Sequence, residues 1–266
     1  TREDYIKAVQ KAKKYIAAGD IYQVNLSQRF STEIDMSPYD LYLRLRETSP
    51  APFSAYLDFG KAAVLSSSPE RFLKIDGKEV ETRPIKGTRP RGRTPEEDER
   101  LKKELEQSDK DRAEHIMIVD LERNDLGRVS RYGSVKVKEE MSVETFAQVH
   151  HLVSTVSGEL KDGMEPVEVI KATFPGGSIT GAPKVRAMEI IEELEPIKRG
   201  VYTGSIGYIG FDGRMDLNIA IRTVVVKDGK AYFSVGGGIV ADSDPEAEYQ
   251  ETLDKARGIM EALKTQ

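Results

Sequence analysis

Apolar positions recur at helical spacing in "REDYIKAVQKAKKYIAAGD", where Ile6, Val9, Ala12, Ile16 and Ala17 gather near one face and Gly19 supplies the stop. "IYQVNLSQRFS" then alternates as a strand does, with Ile21, Val24, Leu26 and Phe30 only partly in register. In "SPYDLYLRLRET" Ser37 reads as an N-cap and Pro38 as the first helical residue. Residues 52–86 break into short β-rich pieces, "FSAYLDF", "AAVLSSSPE", "RFLKI" and "EVETRPI", and Asp76-Gly77 predicts a tight hairpin between the last two. "ETRPIKGTRPRG" reads as a strand ending in a turn at Gly87, with Arg89, Arg91 and Arg93 crowded behind it. Thr-Pro-Glu-Glu opens a charged helix over 94–107, a second helix covers about 109–124, and hairpin-like strands follow to 160. Helices are predicted near 165–173 and 183–194, and strands near 204–211, 215–227 and 230–235, with "DGK" as a turn. "PEAEYQETLDKARGIMEAL" closes the pattern as an amphipathic helix. The strands arrive in hairpins rather than in βαβ units, which predicts one α/β domain over residues 1–266 with antiparallel sheets.

Composition narrows this picture. The 266 residues, 38% hydrophobic and 32% charged, allow a substantial core and match an ordinary globular protein. A net charge of −5 argues against nucleic acid, so the local arginine cluster is better suited to a small anionic ligand. The chain has no cysteine, which removes disulfides, thiolate metal sites and cysteine nucleophiles and suits a reducing cytoplasm. It shows no long apolar run for a membrane span and no signal-peptide pattern, so no membrane partner is expected.

Several stretches offer chemistry. Asp111 and Glu114 are three apart, as are Glu248 and Glu251, so each pair shares a helical face. Two such pairs together would suit a hard cation that keeps several waters, most plausibly Mg²⁺. From spacing alone, two solvated helix faces are the more usual outcome. "FPGGSITGAPK" is a glycine-rich entry to a helix that resembles an anion-binding loop, but Gly181 is followed by Ala182-Pro183 where a nucleotide-binding loop needs Lys and Ser or Thr. Pro183 fits the first helical position. "VGGGIV" offers approachable backbone at Gly236–Gly238 after a strand, and Tyr202 and Arg222 can hold a carboxylate, although singly each is more often a surface or packing residue. Glu70, after Ser-Pro, is a solvated turn residue or, if buried, a protonated general acid. His115, His150 and His151 are the only histidines, too few for a histidine-rich metal site. Lys86, between Ile85 and Gly87, is either one more solvated base or an amine placed for chemistry.

Taken together, "IYQVNLSQRF", "SSSPERFL", "RPIKGTRPRG", "AEHIMIVDLERNDLGRV", "HHLVSTVSGEL", "GGSITGAPKVRAMEII", "DLNIAIRT", "VGGGIVADSDPEAEYQET" and the final "KAR" resemble the chorismate-utilising enzymes over nearly the whole chain. The resemblance implies that family's α/β/β/α sandwich with mostly antiparallel sheets. It also implies Mg²⁺ held mainly by Glu114 and Glu251 with Asp111 and Glu248 close by, binding the ring carboxylate of chorismate. By the same resemblance Tyr202, Arg222, Gly238 and Lys255 hold the enolpyruvyl carboxylate, Thr88 and Gly177 line the ring, and Glu70 protonates the departing C4 hydroxyl. His151 matches a histidine linked to pyruvate loss in anthranilate synthases.

Two positions sort the branches of the family. Isochorismate and salicylate synthases carry a water-activating lysine where this chain has Gln23, so ammonia is the expected nucleophile. Anthranilate synthases usually read Pro-Ile-Ala-Gly-Thr where this chain has Pro84-Ile85-Lys86-Gly87-Thr88, and the lysine form is similar to the aminodeoxychorismate synthase branch. There Lys86 would attack chorismate covalently. Ammonia would be supplied free or by a glutamine amidotransferase partner, and the product would serve folate synthesis. The alternatives are anthranilate synthase activity and a non-catalytic chorismate-binding module. Family members carry an N-terminal domain ahead of the matching segment, so tryptophan feedback sites and part of the glutaminase-docking surface are expected to lie outside this sequence.

Overall fold

In the computed structural model, which describes residues 1–146 and 149–264, strand β1 (Gln23–Glu33) turns Val24 and Leu26 to one face and Gln23 and Asn25 to the other. The apolar face packs against helix α1 (Arg2–Ala17), whose Tyr5, Val9 and Ala12 are buried, and against Ala187, Ile190 and Ile191 of α6 (Lys184–Leu194). β1 is one of six strands in a sheet ordered β2–β3–β12–β13–β1–β9, the others being β2 (Phe53–Asp58), β3 (Ala62–Ser68), β9 (Gly181–Ala182), β12 (Thr223–Lys227) and β13 (Lys230–Ile239). All of its pairings are antiparallel. Helix α2 (Pro38–Thr48) starts as its residues dictate, with Ser37 Oγ accepting the Asp40 N–H at 3.1 Å and Pro38 in the first turn. Leu41 and Leu45 of α2 meet Ala256, Ile259 and Ala262 of α7 (Pro245–Leu263) and the β-branched and aromatic positions of β12 and β13 in a second apolar cluster. These elements form one compact unit, Thr1–Pro69, Ile179–Ile206 and Ile219–Gln266.

The second compact unit is Glu70–Ser178 with Gly207–Asn218. Its sheet runs β10–β11–β4–β5–β8–β6, with β7 on the other side of β8. The strands are β4 (Arg71–Asp76), β5 (Glu79–Arg83), β6 (Ile85–Pro90), β7 (Lys136–Thr145), β8 (Val149–Glu159), β10 (Gly207–Ile209) and β11 (Met215–Asn218). Helices α3 (Pro95–Gln107), α4 (Asp109–Val129) and α5 (Pro166–Thr173) complete the unit. Thr94 and Ser108 cap α3 and α4 with their hydroxyls, at the helix starts expected from sequence. The fold is a mixed α/β one with antiparallel sheets.

Tertiary packing changed four local expectations. α4 continues five residues past 124, because Leu126 and Val129 are fully buried there. Burying two such side chains is worth roughly 1.5–3 kcal/mol each, more than the about 1 kcal/mol that Gly127 costs inside a helix. The segment 215–227 is two strands in two sheets, broken at Arg222, whose φ of 48° no regular strand adopts. Gly236–Gly238 lie inside β13 rather than after it, paired with Ser27, Leu26 and Asn25 of β1. Pro183 is the cap residue of α6, not its first helical residue.

Candidate active site

β6 carries three of the residues singled out from sequence. Gly87 does not end it in a turn: the strand runs on to Pro90 with a register shift between Lys86 and Thr88 against β8. The glycine is needed twice over. Its φ is +76°, and a Cβ there would lie 2.8 Å from Leu105 Cδ1 and 3.2 Å from Asp111 Cβ. α3 and α4 thus approach the bulge closely, and Lys86 Nζ lies 3.0 Å from Glu114 Oε2, both side chains being less than a fifth exposed. Arg89 takes Asp111, Nη2 to Oδ2 at 3.0 Å, and Glu104, Nε to Oε1 at 2.8 Å. Thr88 Oγ1 is 2.9 Å from Nδ1 of the buried His151, whose ring meets Phe146 edge-on at 5.6 Å.

Glu70 precedes β4 and is 4% exposed, with the Ile85 N–H pointing at its Oε1 from 3.4 Å. It is a buried carboxyl, not a solvated turn residue. Gly177 donates its N–H to Oε1 of Glu122 on α4 at 2.9 Å, and a Cβ at 177 would sit 2.9 Å from that oxygen.

The remaining candidates belong to the other unit. Tyr202 is buried, its ring 5.7 Å from the Arg199 guanidinium carbon, and burial pushes its hydroxyl pKa up. Arg222 stands just before β12 with a strained positive φ, and its carbonyl accepts the Ser67 N–H at 3.1 Å. Gly238 faces Asn25 across the β1–β13 ladder. On α7, Lys255 Nζ donates to Gly236 O at 3.0 Å and pairs with Glu251 Oε1 at 2.6 Å. Glu248 is buried and accepts from Ser243 Oγ at 2.6 Å.

Sequence reasoning passed over the wider acidic face of α4. Asp111, Glu114, Glu122 and Asp125 follow helical spacing, and the last two are buried. Buried acids among apolar neighbours at that spacing were the available signal. It also passed over His115, fully buried beside Glu114, with Nε2 2.7 Å from Ser154 Oγ. Burial, with the Lys86 cation second, pushes its imidazole down to about 4. The unfolded imidazole titrates near 6.5, so between about 6.5 and 4 the unfolded chain binds the extra proton. Stability is therefore full above that window and falls as pH drops through it, by an amount on the order of 3 kcal/mol. Urea unfolding at pH 7.5 and 5 is expected to show a steeper loss in the parent than in His115→Gln, and equal losses would contradict the assignment.

A family profile described as "chorismate binding enzyme" matches residues 1–261. The chain belongs to the chorismate-binding enzyme family. It is 53% identical over 264 residues to aminodeoxychorismate synthase component 1 of Bacillus subtilis, covering 99% of this chain and 56% of that protein. It is 52% identical over 264 residues to anthranilate synthase component 1 of Aquifex aeolicus, covering 99% of this chain and 53% of that protein. The crystal structure of anthranilate synthase component I from Streptococcus pneumoniae superposes with a TM-score of 0.90 at 44% identity, covering 97% of this chain and 57% of that one. This chorismate-binding enzyme thus spans about half the length of the curated relatives it matches.

The four carboxylates expected from sequence to hold a hard cation are Asp111 and Glu114 on α4 and Glu248 and Glu251 on α7. Gly237 leaves room beside the α7 pair, since a Cβ there would lie 3.2 Å from Glu248 Oε2 and 3.5 Å from Glu251 Oε1. The pairs stand on different units, and among the described residues no group of three or more His, Asp or Glu side chains is gathered to hold a metal. Asp111, Glu114 and Glu251 are engaged by Arg89, Lys86 and Lys255 respectively. No described helix is long and apolar enough to cross a membrane.

Proposed function

We propose that the chain aminates chorismate to 4-amino-4-deoxychorismate with ammonia, in a Mg²⁺-dependent reaction that passes through a covalent bond to Lys86. The observation that carries this reading is the placement of Lys86: a mostly buried amine on a glycine bulge, 3.0 Å from Glu114 and on the same strand as Thr88. The same lysine also fits a plain ion pair, so the reading rests on chemistry that an ion pair would not show. Mg²⁺, when bound, would be held by Glu114 and Glu251 with Asp111 and Glu248 beside them, and would neutralise the ring carboxylate of chorismate. Tyr202, Arg222, Lys255 and the Gly238 backbone would hold the enolpyruvyl carboxylate.

With Glu114 engaged elsewhere the ion pair is broken, and Lys86, once its ammonium proton has passed to solvent, attacks C2 as the neutral amine. The ring double bond shifts, and the C4 hydroxyl leaves as water with the proton of Glu70. The adduct nitrogen returns a proton to the Glu70 carboxylate. Ammonia then attacks C4, the double bond shifts back, and a proton passes from the new C4 ammonium to the departing lysine nitrogen. The sum is chorismate and ammonia giving aminodeoxychorismate and water.

Anthranilate synthase activity is the second reading, favoured by the 52% identity to an anthranilate synthase component 1. His151, buried beside Thr88, would then serve pyruvate loss. Incubation with chorismate, Mg²⁺ and ammonium followed by product identification separates the readings: a 4-amino product supports the first, anthranilate the second. Both relatives are a component 1, which favours a glutamine amidotransferase as the physiological ammonia source. For the metal, Glu114→Gln and Glu251→Gln keep the side-chain shape and remove an anionic ligand. The Mg²⁺ concentration for half-maximal activity is expected to rise by about tenfold or more in each, with the fold intact by circular dichroism. Full activity of both variants without added Mg²⁺ would remove the metal from this account.

A further inference from the structure

Strand β3 ends in three consecutive serines, Ser66, Ser67 and Ser68, all fully buried. A buried hydroxyl adds little to stability and is costly unless it is bonded, and alanine would fill nearly the same space. Each of these hydroxyls is bonded, and two of them serve the segment that leads into β12. Ser68 Oγ donates to Ile219 O at 2.6 Å. Thr223 Oγ1 gives its proton to Ile221 O at 2.9 Å, so Ser66 Oγ, 2.9 Å from the same oxygen, is the donor to it. Ser67 Oγ donates to Ser49 O, and the Ser67 N–H reaches Arg222 O at 3.1 Å.

Residues 219–222 lie in no strand, so no ladder takes up their carbonyls. All four carbonyls are nevertheless bonded. Ile219 O accepts the Ile221 N–H at 2.7 Å besides the Ser68 hydroxyl, and Ala220 O accepts the Thr203 N–H at 2.9 Å. Ala220 in turn donates its N–H to Gly204 O at 2.8 Å. The turn so fixed holds Arg222 at a φ of 48° and is laced to Thr203 at a φ of 63°, left-handed values that residues with a Cβ rarely adopt. Glycine is at ease at such angles, yet both positions carry side chains. Strain of this kind persists only where the surroundings over-determine it. Here they do so at Arg222 and beside Tyr202, the two side chains assigned to one carboxylate.

We infer that Ser68 and Thr223 are positioning residues for Arg222: their hydroxyls hold the 219–222 turn that aims its guanidinium. The inference rests on the proposed reaction, in which Arg222 and Tyr202 hold the enolpyruvyl carboxylate, and adds the groups that set the geometry of that contact. A planar guanidinium bonds a carboxylate best in one orientation. A turn that relaxes therefore loses affinity although Arg222 is still present.

The test is chorismate binding with Mg²⁺ and without ammonia, read by calorimetry, with Lys86 replaced by Ala throughout so that no covalent adduct forms. Ser68→Ala and Thr223→Val are each expected to raise the Kd about tenfold, and Arg222→Gln by that much or more. Combined with Arg222→Gln, neither should weaken binding further, because a residue that acts through Arg222 has nothing left to position. Fully additive losses would make the two hydroxyls general supports of the fold and overturn the inference, as would unchanged Kd values in both hydroxyl variants. An Arg222→Gln chain that binds as tightly as its parent would instead remove Arg222 from the proposed site. A second measurement needs no ligand and reads the turn itself. Arg222→Gly is expected to melt above Arg222→Ala, since glycine accepts the angle, and Ser68→Ala should narrow that gap. A narrowed gap in a chain that binds no chorismate would sink the proposed reaction and keep the hold on the turn. A gap that Ser68→Ala leaves unchanged would mean that the hydroxyl does not hold the turn at all.

Discussion

Incubated with chorismate and Mg²⁺ but without ammonia, the chain is expected to gain the mass of chorismate less water, on Lys86. The reason is a competition between two nitrogen nucleophiles that attack different carbons. Lys86 adds at C2 and water leaves from C4; with nothing to arrive at C4, the lysine has no route out except reversal. Intact-protein mass spectrometry reads the adduct and peptide mapping places it. Lys86 is well suited to such a test because its nitrogen has a fixed position, 3.0 Å from Glu114 Oε2. Lys86→Ala should carry no adduct, and it should lose the 4-amino product or drift towards amination at C2 and anthranilate. The Gly87 bulge remains in that variant, so the strand that positions residue 86 is retained. An alanine variant that makes the 4-amino product at the parent rate would leave Lys86 as the ion-pair partner of Glu114, and anthranilate synthase would become the leading reading.

The second large effect is expected at Glu70. Glu70 is only 4% exposed, so its carboxyl is shielded from bulk water and a proton it holds can be delivered to a bound group. Glu70→Gln keeps an oxygen to accept from the Ile85 N–H but cannot release a proton to the leaving hydroxyl. General acid catalysis contributes about 10² to 10⁴ in rate, so turnover should fall within that range while chorismate still binds. Stopped-flow binding and steady-state turnover measured on the same preparation separate the two quantities. Unchanged turnover would return Glu70 to a structural role, and lost binding with unchanged turnover would make it a substrate contact instead.

Much of both units was legible along the chain. Helix starts are local events, so Ser37-Pro38, Thr94-Pro95 and Ser108 marked α2, α3 and α4 before any packing was considered. The acidic pairs were legible for the same reason, because a spacing of three sets one helical face whatever surrounds the helix. The resemblance of the motifs then pointed to chorismate chemistry, which spacing alone did not.

What the sequence by itself determined was therefore the elements, their periodicity and the family. Tertiary structure alone decided the rest, because strand pairing and burial depend on residues distant in the chain. Gly87 reads locally as a turn and is a bulge, since β8 continues to pair beyond it and helices α3 and α4 need the space where a side chain would stand. Gly236–Gly238 read as a loop and are a strand, since β1 supplies the hydrogen bonds. Lys86, open in the sequence between a solvated base and a reactive amine, and Arg89, one of a cluster suited to a small anion, each meet an acid that only the fold brings to them, whereas Lys255 meets Glu251 one turn earlier on its own helix. Gln23, which the resemblance used to sort the branches of the family, and Asn25 are polar positions of an alternating strand. Their burial is a property of the assembled sheet and not of the sequence of β1.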